Sequence, residues 1–229
     1  MRKYAASILL SLYCHSLPMC FASPAIARAL YRGVSQKGEL ITNTNQRILR
    51  TLSFIESPKF NPKMNNIHKN IDPDLMLFTW LTFAWYPIRN FKHYGFNVTT
   101  DEQVSILKHW DQMKIPGSTL DPFECEDIRN RLEIKLLGSS FEGKQLYKSL
   151  LNSQQYHYFP KSINNMPINV TRTLMDDPIA NMIDVPMATH KAYGLETIGW
   201  WCKTSYVPNE LMLKMFFRLV NQAIVPQTI

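Results

Sequence analysis

Residues 72–95 read DPDLMLFTWLTFAWYPIRNFKHYG, and this stretch decides the fold. Asp72 suits a helix N-cap, because its carboxylate accepts from the unpartnered N–H groups of a first turn. Pro73 then occupies the first helical position, where a missing N–H costs nothing. Gly95 supplies the left-handed residue at which helices commonly stop. Between these marks, residues 75–85 are apolar nearly all round rather than along one stripe, which predicts a helix buried on every side. Trp80 and Trp85 are read as core, and Pro87 as a kink or an early end.

A helix buried all round needs other helices to cover it, and the flanking sequence supplies them. Pro24 opens a helix through AIARALYRGV, and QRILRTLSFI (residues 46–55) is a further helical stretch. Thr99 with Glu102 forms a capping box that opens TDEQVSILKHWDQM. Asp121-Pro122 opens FECEDIRNRLEIKLL, which Gly138 closes. Ser139 with Glu142 forms a second box, for a helix through Leu151, and QQYHYFPKSINNMP follows as a loop. Further on, PNELMLKMFFRLVNQAIV carries a stripe of Leu211, Met215, Leu219 and Val220 that suits docking on a core. No run alternates long enough for a strand, and there are only eight glycines in 229 residues. The fold class is all-α, a single multi-helix, bundle-like domain over residues 24–229 behind an apolar segment at 1–23.

The formal charge of +7 is spread along the chain, without a block of like charges. No nucleic-acid-binding module is present, so nucleic acid is excluded as a partner. An acidic membrane surface stays open. Cys14, Cys20, Cys125 and Cys202 form no C-x-x-C pair and read as reduced, partly buried thiols, with one disulfide left open in an oxidising compartment. Phosphate-binding glycine loops, G-x-S-x-G and H-E-x-x-H are all absent. His15, His68, His93, His109, His157 and His190 never fall at i, i+4 spacing, so no helical metal-ligand pair is formed. One polar pair stands out instead: Arg47 and Thr51 lie one turn apart on the same helix face.

At the amino terminus, Arg2 and Lys3 precede a short apolar run broken by His15 and Pro18. This is the layout of a secretory signal peptide, and Asn97-Val98-Thr99 and Asn169-Val170-Thr171 would then be glycosylation acceptors. The rival reading makes Ser7 to Leu17 the first core helix.

The order of these features resembles the ER-bound oxygenase mpaB and rubber oxygenase (latex clearing protein) catalytic-domain family. SPAIARALYRG, RILRTLSFI, NNIHKNIDPDLMLFTWLTF and YGFNVTTDEQVSILKHWDQMKIPG follow one another as the family's landmarks do, and LMDDPIANMIDVP is similar to its later Asp-Pro segment. The matching residues are Arg47, Thr51, His68, Asp72 to Leu75, Tyr94-Gly95, Thr99 to Glu102 and Lys114-Ile115-Pro116, the last in place of a GIP-like loop. The resemblance implies an all-α fold holding haem b, with dioxygen chemistry on a hydrophobic, isoprenoid-like small molecule. It places His68 as the axial ligand of the haem iron, and Arg47 and Thr51 as catalytic residues on the open side. It also favours the first core helix at Ser7 to Leu17, and with it a cytoplasmic or membrane-associated chain over a secreted one. The sequence departs from the family's pattern at one passage: only sixteen residues separate Thr51 from His68, Pro58 and Pro62 among them, and Ile71 stands where the family has valine. Those departures support an alternative, a non-catalytic helical member of the fold that acts through partner binding.

Overall fold

The computed structural model describes residues 5–35, 71–157 and 165–188. These residues are mostly helical and contain no strand, as an all-α chain requires. The amino-terminal rod is α1 (Ala5–Ser11), a π-helical turn (Leu12–Ser16) and α2 (Leu17–Phe21). After it come α3 (Pro24–Ser35), α4 (Pro73–Asn90), a 3₁₀ turn (Phe91–Tyr94), α5 (Thr100–Asp111), α6 (Pro122–Leu136), α7 (Phe141–His157), α8 (Met166–Leu174) and α9 (Asp177–Met182).

The rod and α4 form the centre. All five residues of the π turn are buried. The turn packs against α4 and α8, while α2 lies on α7 and α3. Pro18 accounts for the widened turn: it has no N–H to return to Cys14, and its ring crowds that carbonyl. The Leu17 N–H instead reaches back to the Leu12 carbonyl, the i to i−5 pattern of a π-helix. In α4, Phe78, Leu81, Ala84 and Tyr86 are fully buried, and Trp80 and Trp85 nearly so. Asp72 caps this helix by accepting from the Asp74 N–H at 2.8 Å. Pro87 does not end it. The helix continues to Asn90, and the chain stops only at Gly95, whose φ of 69° is left-handed.

Caps elsewhere follow the sequence closely, with one shift. Thr99 and Glu102 make both halves of their box, and Asp121 accepts from the Phe123 N–H at 2.8 Å. At α7 the cap is Ser140 rather than Ser139: the Ser140 hydroxyl accepts from the Gly143 N–H at 3.1 Å. Ser139 donates instead to the Met182 carbonyl at 3.0 Å, tying the start of α7 to the end of α9. The same helix runs on to His157, into residues expected to form a loop.

The corner between α6 and α7 locks onto the rod. The Gly138 N–H donates to the Ala22 carbonyl at 2.9 Å. A side chain at Gly143 would overlap the Phe21 carbonyl oxygen, so only glycine lets α7 come this close. At the far end Arg172 holds the chain after α9, donating to the Val185 and Pro186 carbonyls and pairing with Asp177. Asn169 sits within α8 with its side-chain oxygen shut from solvent, and Thr171, two positions on, is buried. Among the described residues no helix is long and apolar enough to cross a membrane.

Replacing Gly143 with alanine forces the α7–rod contact apart. The expected cost is about 2 kcal/mol, seen as a melting temperature lowered by about 5 °C. Gly138→Ala meets Pro24 at an ordinary 3.5 Å and is the neutral control. Equal melting temperatures for the two variants would contradict this account.

Candidate functional site

The sequence's site residues, Arg47, Thr51 and His68, lie outside the described residues. What the described residues bring together is a chain of polar side chains running from the centre of the core to its edge.

It begins at His15, which the sequence marks only as a break in an apolar run. The π turn sets the imidazole inside the protein, 1% exposed. Its Nδ1 lies 2.9 Å from the amide nitrogen of Asn90 and 3.2 Å from the amide oxygen. The shorter contact makes Nδ1 an acceptor, as suits a neutral ring. Burial lowers the His15 pKa from 6.5 to about 3, and the positive charges of Arg89, His93 and Arg129 act in the same direction. The ring edge meets Tyr86 at a centroid separation of 4.8 Å.

Tyr86 continues the chain. Its hydroxyl donates to the Glu133 carboxylate at 2.5 Å. Burial raises the phenol pKa well above 10, and the Glu133 charge adds to the shift. Arg129 joins the carboxylates of α6, donating to Glu133 at 2.7 Å and to Glu126 at 2.8 Å. Glu126 also accepts from the Trp85 indole at 2.8 Å and faces Arg89 at 3.4 Å. Burial alone would raise the Glu126 pKa. The hydrogen bonds from Trp85 and Arg129 outweigh it and hold the carboxyl below its usual range.

The spacing explains how two helices build this chain. Glu126, Arg129 and Glu133 lie three and four residues apart on one face of α6, so one guanidinium serves both carboxylates. Trp85, Tyr86, Arg89 and Asn90 come round α4 to meet them. No charge is left alone at the buried end, since Asn90 and Tyr86 are neutral there and the ions begin at Glu133. The arrangement orients side chains and holds His15 neutral.

The three described thiols are inert. Burial pushes Cys14 and Cys125 up to about 12 and Cys20 to about 11, so all remain protonated. They are free and buried, as the spacing suggested; Cys202 lies outside the described residues. His93 and His109 are half-buried near helix ends. Among the described residues, no group of three or more His, Cys, Asp or Glu side chains is placed to hold a metal ion. A haem iron needs only one protein nitrogen. Among the described histidine rings only His15 is fully buried, with Asn90 against its Nδ1.

No family model matches the chain, and neither a curated protein nor a solved structure does.

His15 makes stability depend on pH with a defined sign. The folded protein takes up this proton only near pH 3, whereas the unfolded chain takes it up near 6.5. Between these values the unfolded state binds more protons, so stability is full above pH 6.5 and falls as the pH drops. The loss reaches about 3 kcal/mol by about pH 4.5. Denaturant midpoints measured from about pH 7 to about pH 4.5 should decline in the native protein and decline less in His15→Gln. The same slope in both would refute the role given to His15.

Proposed function

We propose that the chain is a haem-dependent oxygenase-like protein that acts with dioxygen on a hydrophobic, isoprenoid-like small molecule. The observation that carries this reading is the backbone at Lys114. Lysine disfavours the left-handed region, yet Lys114 has a φ of 48°. It occupies the place of the glycine in the GIP-like loop of the family that the sequence resembles, where a left-handed backbone comes readily. Ile115 is buried after it, and Gly117 follows at a φ of 81°. The turn geometry suits a glycine even though the residue has changed.

Three further landmarks support the same reading. The Asp72 cap opens the most buried helix. Tyr94 lies fully buried before a left-handed Gly95, and its hydroxyl is 3.2 Å from Ser11 on the rod. The Thr99–Glu102 box starts α5.

His68 would hold the iron, as the family resemblance implies, with its other ring nitrogen oriented by a neighbouring hydrogen-bond partner. Haem, when bound, supplies the site for dioxygen. Arg47 would offer a guanidinium to negative charge developing on the open side, and Thr51 a hydroxyl beside it.

Protein reconstituted with haem should show a strong Soret absorption, which His68→Ala abolishes while the helical circular dichroism stays unchanged. A colourless reconstituted protein overturns the proposal. It would leave the non-catalytic helical member that acts through partner binding, which the short passage from Thr51 to His68 favours.

A further inference from the structure

A pocket opens where the polar chain reaches the surface. It lies between the C-terminal half of α4, the 3₁₀ turn, residues 96–98, and the first turns of α5 and α6. Its volume is about 360 Å³, at the small end of ligand sites. Trp85, Phe96 and Val98 give it apolar walls, and Arg89, Lys92 and Glu126 bring charge to it.

The charges are unequal in what they leave free. Glu126 is occupied on both oxygens: one accepts from the Trp85 indole, and the other from Arg129 and, at a longer 3.4 Å, faces Arg89 Nε. Arg89 approaches that carboxylate through Nε at 3.4 Å, too long for a strong hydrogen bond, so its guanidinium keeps donors for another acceptor. Lys92 is exposed and has no carboxylate partner among the described residues. Both cations are felt nearby: the His93 pKa is lowered by burial and then by the charges of Lys92 and Arg89. A pocket with two available cations, a carboxylate already satisfied and an aromatic floor suits one chemical class.

We propose that this pocket binds a small amphipathic anion, a monocarboxylate with a short aliphatic or aromatic body. The carboxylate sits between the Arg89 Nη groups and Lys92 Nζ, where the guanidinium fork matches its two oxygens. The body lies against Trp85, Phe96 and Val98. Inorganic phosphate satisfies the cations but leaves these apolar walls wet. An uncharged chain of equal length covers the walls but leaves the cations without a partner. The proposal is independent of the haem reading, since none of its residues is a haem-site residue.

The test is calorimetric titration of the full chain, at low ionic strength, with octanoate, octanol and inorganic phosphate in turn. Octanoate should bind saturably, and both other probes about tenfold or more weakly, the size of one charge-assisted contact or one lost apolar surface. Lys92→Gln, which breaks no described ion pair, and Arg89→Gln should each weaken octanoate about tenfold while leaving octanol unchanged. Circular dichroism confirms that both variants fold. Octanoate binding equal to that of octanol, or unchanged in Lys92→Gln, overturns the proposal. Phosphate binding as tight as octanoate also overturns it, because the site is then a patch of positive charge only.

Discussion

The hydrogen bond between His15 and Asn90 is the constraint around which the rest of the core is arranged. An imidazole can sit at 1% exposure only if it is neutral and its polar atoms are met. Asn90 meets one of them from α4. That pairing holds the amino-terminal rod against the central helix at a fixed depth and rotation. Cys20 to Thr82 adds a second link between the rod and α4, and Ser11 to Tyr94 ties the rod to the 3₁₀ turn that follows α4. These three polar links fix one register where apolar packing alone would accept several.

The remaining helices attach to this pair through backbone contacts as much as through side chains. The chain turning from α6 to α7 bonds to the Ala22 carbonyl through Gly138 and presses Gly143 against the Phe21 carbonyl. The end of the rod is thus enclosed by backbone, and the close approach to Phe21 requires glycine at position 143. Arg172, whose side chain is 6% exposed, performs the equivalent task near α9, replacing absent strand or helix partners for the Val185 and Pro186 carbonyls. The polar chain from His15 through Tyr86 to Glu126 then links the dry centre to the surface without leaving an ion in the middle.

The helices and their ends were legible because caps are local. Asp72, Thr99 and Asp121 each bond within three residues of themselves, so nothing distant can reassign them. Ser139 and Ser140 show the limit of that rule. Either serine can cap a helix, and the choice went to Ser140 because the Met182 carbonyl, 43 residues away, engages Ser139. Pro87 was legible as a disturbance but not in its outcome, since packing on every side of α4 keeps the helix intact through it. The site residues marked by sequence, Arg47, Thr51 and His68, lie outside the described residues, and the polar chain that the structure contains was not foreseen. Its only local signal was the Glu126, Arg129, Glu133 spacing, which also fits an exposed salt-bridged face.

The sequence by itself determined that the protein is helical, where most of its helices begin, and that residues 72–95 lie at the centre, because capping and hydrophobic periodicity act over a few residues. The tertiary structure alone decided which polar groups are buried together. His15 finds Asn90 across 75 positions and Tyr86 finds Glu133 across 47, and a partner at that distance is set by how helices pack, not by what stands beside the residue in the chain.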